Sequence, residues 1–336
     1  MKNSLLFMAV LGAMGLILDY RYSLDSPAGI PATQELDIPR GMHVIELGRE
    51  LAQHHAVSRP HWFMLQAYLS GKARQIKYGT YELKPGMTLR EILTMLTTGN
   101  VKQYPVMLVE GWTLEQVRTT LQQHSELQHT LMNKSMKDIM LQIDPQCQEP
   151  VCNNPEGWFY PSTYHVTKGT PDIEVLKRAH LLMKSHLARV WEQRVGQLPY
   201  DSPYEVLKLA SIVEKETADP SERPAIAGVF IRRLQKGMRL QTDPTVIYGL
   251  GKRYNGDITL KDLRTDTPYN TYTRSGLPPT PIAMPSKNSL EAVINPDQGK
   301  SLYFVARGDG THAFSETLDQ HNQAVDLYQR HNHVSR

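Results

Sequence analysis

Cysteine is nearly absent from this chain: Cys147 and Cys152 are the only two among 336 residues. So low a count excludes a fold stapled by several disulfides and any zinc module built on four thiolates. No sign of charge dominates either, with 37 basic and 34 acidic residues giving a formal net charge of +3. Without a block of like charge there is no nucleic-acid-binding arm, and nucleic acid is not expected as a partner. His312 and His321 lie among polar residues near the C-terminus, and nothing at metal-ligand spacing joins them. Neither a metal nor a cofactor is expected. What remains is an ordinary globular balance, 40% hydrophobic and 21% charged, in a chain long enough for two domains.

The N-terminus departs from that average. Lys2 precedes an uncharged, largely apolar run from Ser4 to Leu18, closed by Asp19 and Arg21. About 15 such residues are short for a membrane span and typical of a signal-peptide core, yet no Ala-x-Ala-like site follows directly. A retained signal anchor over residues 1–20 is the preferred reading, then a cleaved signal peptide, then a buried helix. The first two place the rest of the chain outside the cytoplasm, where Cys147 and Cys152, with four residues between them, can close a small disulfide loop; two lone thiols are the alternative. Residues 21–38, with Pro27, Gly29 and Pro31, read as a stalk.

Three segments then echo one another. Gly41-Met42-His43-Val44, Gly86-Met87-Thr88-Leu89 and Gly111-Trp112-Thr113-Leu114 each lead into an amphipathic helical pattern. Each is a glycine turn, a cap and a helix, and a strand-like run, Tyr78 to Leu83, lies between the first two. Small units of this kind resemble the LysM class of glycan-binding modules, and glycan binding and a spacer role both stay open for residues 39–125. Residues 126–204 read as a connecting helical region. Its aromatic cluster, Trp158-Phe159-Tyr160, sits beside Gly157 and Pro161 and is expected to pack beneath a loop.

The most informative stretch is Leu207 to Thr217, an apolar helical run ending in Glu214-Lys215-Glu216-Thr217. At about 100° per residue, Val206, Leu209, Ala210 and Val213 centre the buried face, and the two glutamates fall about 160° apart on its flanks. Only one can face a given cleft. Glu216 lies between the directions of Leu209 and Ile212, so desolvation favours it as the acid; periodicity alone favours two solvated helix-end residues. Downstream, Gln241 to Tyr248, Pro268 to Tyr272 and Gly276 to Ile282 are dense in amides, hydroxyls, rings and fixed backbone. Such loops suit a neutral polyol such as a glycan.

Taken together, Ala210 to Thr217, Leu240 to Tyr248, Tyr269-Asn270-Thr271-Tyr272, Gly276-Leu277-Pro278-Pro279 and Tyr303-Phe304-Val305-Ala306 resemble the endolytic murein transglycosylases of the bacterial inner membrane, the YceG-like family. The resemblance covers nearly the whole chain; Ser162 stands where the family usually has an acidic residue. It implies that Glu216 is the catalytic acid and, once ionised, the base, cleaving the bond from N-acetylmuramic acid to N-acetylglucosamine with formation of a 1,6-anhydro ring. Gln241, Asp243, Thr245, Tyr269, Asn270 and Tyr272 are candidate sugar-binding groups. The expectation is an α+β protein: an anchor, a stalk, a LysM-like module and, over residues 205–336, a catalytic domain whose Glu-bearing helix borders a cleft. It would be a single-pass inner-membrane protein with its catalytic domain in the periplasm, acting on peptidoglycan glycan strands of nascent wall and meeting wall-synthesis proteins. A hydrolytic muramidase using Asp243 or another acid to activate water, and a non-catalytic peptidoglycan-binding scaffold, are the alternatives.

Overall fold

Local signals place most of the helices. The computed structural model describes residues 2–194 and 196–330, and the chain divides into two units, residues 1–104 with 165–170, and residues 105–164 with 171–336. Unit one runs α1 (Lys2–Asp25), β1 (Gln34–Ile38), α2 (Val44–Gln53), α3 (Pro60–Leu69), β2 (Gly79–Leu83) and α4 (Leu89–Thr98). Unit two holds most of β3 (Tyr104–Leu108), then α5 (Leu114–Gln123), β4 (Leu127–Gln128), α6 (Met136–Ile143) and, beyond β5 (Ser162–Val166) and β6 (Thr170–Pro171), α7 (Asp172–Glu192). It continues with α8 (Pro203–Glu216), α9 (Arg223–Gln235), α10 (Asp243–Leu250), α11 (Leu260–Arg264), α12 (Lys287–Ile294), β7 (Tyr303–Ala306), β8 (His312–Ser315) and α13 (Leu318–Val325).

The three echoed segments share one local construction. A strand precedes each, Gly41, Gly86 and Gly111 take left-handed backbone at φ 88°, 84° and 74°, and α2, α4 and α5 follow. Only glycine adopts that conformation without a Cβ penalty, which is why the turn recurs with this residue. Thr88 and Thr113 each accept a hydrogen bond from the backbone N–H three residues on, and Glu91 and Gln116 return the bond to the cap, satisfying donors a bare helix start would leave open.

Unit one packs α2, α3 and α4 on the antiparallel pair β1–β2, in register from Gln34 opposite Leu83 to Ile38 opposite Gly79. Leu47, Leu51, Phe63, Tyr81, Leu83, Ile92 and Leu96 form its dry centre. Residues 21–38, expected as a stalk, are not a bare linker. Leu36 and Ile38 alternate inward along β1, Leu24 and Ile30 are buried, and the end of α1 is fastened to the unit. Trp62 Nε1 donates to Asp19 at 2.9 Å, Tyr20 packs on the Trp62 ring at 5.3 Å, and Arg90 pairs with Asp25 at 3.0 Å.

Upstream of that attachment α1 has no cover. Leu5, Leu6, Phe7, Met8, Leu16, Ile17 and Leu18 are each more than half exposed. The apolar run also continues further as helix than its 15-residue core: Ser4–Asp25 spans 22 residues, long and apolar enough to cross a membrane, about 33 Å at 1.5 Å per residue.

In unit two, α8 is central. Val206, Leu207, Leu209, Ala210, Ile212 and Val213 are fully buried among α7, α9 and α12, with Phe230, Leu290 and Val293 as major partners. The aromatic cluster packs as expected: Phe159 is fully buried, Trp158 stacks on Tyr204 at 6.0 Å and Tyr160 on His186 at 4.2 Å. Cys147 and Cys152 are joined by a disulfide. Antiparallel β7–β8 pairs Tyr303 with Ser315 and Ala306 with His312.

Candidate active site

Pro203 sits in the first turn of α8, where its missing N–H is no loss, and the helix stops at Glu216 because Thr217 turns extended. The two glutamates at its end leave on opposite flanks, and neither is a solvated helix-end residue. Glu214 is consumed by structure. Its carboxylate pairs with buried Arg223 at 3.1 Å and accepts from Ser286 N–H at 2.9 Å, Ser286 Oγ at 2.6 Å and Ser289 Oγ at 2.7 Å. Both charges of the pair are about 95% shielded, so the hydroxyl and amide donors are what make the burial tolerable.

Glu216 instead lines a cavity of about 590 Å³ together with Gln241, Thr242, Asp243, Tyr272, Tyr303, Phe304, His312, His321 and Asn322. Burial pushes its carboxyl up from 4.5 to about 7; the hydrogen bond from Thr242 Oγ1 and the nearby His312 work against the rise, and the charge of Asp243 adds to it. A carboxyl with that proton affinity carries its proton to a leaving group at neutral pH and can also give it up.

The expected sugar-binding residues divide into three groups. Gln241, Asp243 and Tyr272 line the Glu216 cavity, where Tyr272 donates to Asp243 at 2.6 Å and Gln241 holds a left-handed backbone at φ 52°. Thr245 and Asn270 do not reach it. Thr245 is fully buried, donating to the Thr242 carbonyl at 2.8 Å, and Asn270 gives its amide hydrogens to the carbonyls of Asp262, Leu263 and Thr265. Their polar groups satisfy the loop's own backbone, which a long irregular segment must do somewhere. Tyr269 lines a different cavity, of about 1000 Å³, beside Tyr248 and Glu156. Glu156 is 3% exposed there, accepting from Leu114 N–H at 2.9 Å and Tyr248 Oη at 3.1 Å, and burial raises its carboxyl to about 7 as well.

A family model, the YceG-like family, matches residues 36–327. The chain belongs to the YceG-like family. It is 30% identical over 308 residues to the endolytic murein transglycosylase of Bacillus subtilis, across 88% of this chain and 85% of that protein. It is 29% identical over a 356-residue alignment to the endolytic murein transglycosylase of Streptococcus pneumoniae, across 96% of this chain but only 63% of that longer protein. A crystal structure of a yceG-like protein from Listeria monocytogenes superposes with a TM-score of 0.54 at 28% identity, covering 87% of this chain and 98% of that one.

Within this YceG-like chain the cavity also gathers residues that sequence reasoning left aside. Arg233, 7% exposed, donates to the carbonyls of Leu302 at 2.7 Å and Leu240 at 2.8 Å, tying β7 to the loop that enters α10. Thr242 holds the carboxyl of Glu216 and is itself held by Thr271 through its N–H at 3.1 Å. His312, which no metal-ligand spacing joins to a partner in the sequence, stands in the cavity wall on β8, with Glu222 at 2.7 Å from Nδ1. Glu222 and His312 are 90 residues apart. The one local hint was the polar turn Gly308 to Thr311 just ahead of a lone histidine.

Proposed function

We propose that this protein is a membrane-anchored lytic transglycosylase that cuts peptidoglycan glycan strands internally, at the β-1,4 bond from N-acetylmuramic acid to N-acetylglucosamine, and leaves 1,6-anhydro ends. The observation that carries the reading is Glu216, a proton-bearing carboxyl set in a cavity with amides, phenols and two histidines. The names of the Bacillus and Streptococcus relatives support the reaction class.

Protonated Glu216 donates to the bridging oxygen as the C1–O bond breaks. The C6 hydroxyl of the same muramic acid attacks C1, so the nucleophile is intramolecular and the entropy of capturing a water is avoided. Ring closure releases the hydroxyl proton to a base in the cavity. Polar groups such as Asp243 and Tyr272 face the developing oxocarbenium charge. The strand-turn-helix repeats within residues 39–125 serve as a LysM-like glycan-binding module, residues 205–336 carry the chemistry, and α1 fixes the enzyme in the inner membrane with the catalytic domain in the periplasm beside nascent wall.

Asp243 shares the cavity and gives a second reading some support: a hydrolase in which it activates water. Mass analysis of fragments from purified glycan strands decides. Anhydro-ended products are expected from wild type and none from Glu216→Gln; reducing ends would replace the first reading by the second, and full cleavage by the variant would remove Glu216 from the reaction.

A further inference from the structure

Glu216 and Glu222 emerge from one short connection, between the end of α8 and the start of α9. That connection is braced: Asp219 N–H donates to Thr217 Oγ1 at 3.0 Å and Ser221 N–H to Asp219 Oδ1 at 2.8 Å. Glu222 spends both oxygens on one residue. Its Oε1 accepts from the backbone N–H of His312 at 2.8 Å, and Oε2 lies 2.7 Å from His312 Nδ1. An ionised carboxylate only accepts, so Nδ1 must carry the hydrogen, and the lone pair of the neutral ring falls on Nε2. The ring also packs at right angles to Phe304, centroids 5.4 Å apart, and it forms part of the wall of the Glu216 cavity.

We propose that His312, oriented by Glu222, is the base that takes the C6 hydroxyl proton during ring closure, leaving Glu216 to act as the acid. The assignment rests on the transglycosylase reading above. The step balances: the C1–O bond to the leaving sugar breaks as Glu216 gives its proton to that oxygen, the O6–C1 bond forms, and the O6 proton goes to His312 Nε2. Passage of one proton from imidazolium to the Glu216 carboxylate, through solvent, restores both groups, with no water consumed and nothing oxidised. A carboxylate behind an imidazole is the arrangement that fixes its tautomer and supports the imidazolium it becomes. Glu222 is thus a positioning residue and His312 a catalytic one. The charged and titratable groups sharing the cavity with this ring are Glu216, Asp243, Arg233, Tyr272, Tyr303 and His321, with Glu222 behind it.

The full-length protein in detergent, acting on purified uncrosslinked glycan strands, provides the test. His312→Gln should lower kcat by about 10²-fold or more with KM within about threefold, the size general-base loss produces. The acidic limb of the wild-type kcat/KM profile, set by the need for an unprotonated base, should vanish in that variant, while the alkaline limb set by Glu216 stays. Exogenous imidazole should restore part of kcat to His312→Gly and none to Glu216→Gln. Glu222→Gln should lose less than His312→Gln and keep the fold if the latter unfolds. Near-normal kcat in His312→Gln, or a loss with unaltered pH limbs and no imidazole rescue, would overturn the assignment. Reducing-end products from wild type would instead remove the transglycosylase reading, a separate outcome visible before any variant is made.

Discussion

Replacing Glu216 by Gln should kill activity and stabilise the protein, but only at high pH. The folded carboxyl holds its proton up to about pH 7, against 4.5 ordinarily. Below pH 4.5 the group is protonated whether the chain is folded or not, and folding carries no penalty from it. Between 4.5 and about 7 the unfolded chain ionises and the folded one does not, so stability falls as pH rises, and above about 7 the loss is complete. At about 1.4 kcal/mol per tenfold in proton affinity the ceiling is about 3 kcal/mol, and partial solvent access at the cavity brings the expected value to about 2 kcal/mol. Glutamine keeps an oxygen for Thr242 and never ionises. Thermal unfolding of wild type and Glu216→Gln at pH 5 and pH 8 measures it as a double difference, in which Glu156, also raised to about 7, cancels because it is common to both proteins. The variant should gain about 4–8 °C relative to wild type on going from pH 5 to pH 8, using roughly 2–4 °C per kcal/mol. Equal displacement of the two proteins at both pH values would refute the claim that Glu216 sits desolvated.

Three further outcomes follow from the same contacts. Glu214→Gln strands Arg223 in a buried position and should cost about 3–5 kcal/mol of stability, read by denaturant midpoint, while any residual activity keeps the wild-type pH limbs. Thr242→Val removes the hydrogen bond that restrains the Glu216 proton, so the alkaline limb of kcat/KM should move upward from about pH 7; a downward move would contradict the role of that bond. Reducing the Cys147–Cys152 disulfide, or replacing both by Ser, opens a six-residue loop and should lower stability by about 2 kcal/mol on the chain-entropy relation, detectable as a lower melting temperature.

The parts legible in the sequence are those with local causes. The glycine turns at Gly86 and Gly111, each followed by a threonine cap, announced their helices, and the angular offset of Glu214 from Glu216 foretold that they would part company. Periodicity alone nonetheless favoured solvent for both, because a single helix cannot reveal what α9 and α12 lay over its flanks. The proline- and glycine-marked stretch before residue 39 suggested a linker, and the alternation Leu36, Ile38 was too brief to announce a strand whose partner begins at Gly79. In the loops, composition identified polar groups but not their direction: Asn270 turns inward to three carbonyls while Tyr272, two residues on, reaches the cavity. The Glu222–His312 pair joins distant segments, and no local pattern carries such a pairing.

The network around Glu214 has an implication for how this chain can vary. One carboxylate neutralises Arg223, caps α12 through Ser286 and accepts from Ser289, so four positions on three segments share a single electrostatic solution. Changes there are conditional on one another: an apolar residue at 214 becomes acceptable only when 223 also loses its charge, and the double exchange should be far milder than the sum of the singles. The acid two residues away is therefore carried on a scaffold that resists piecemeal drift.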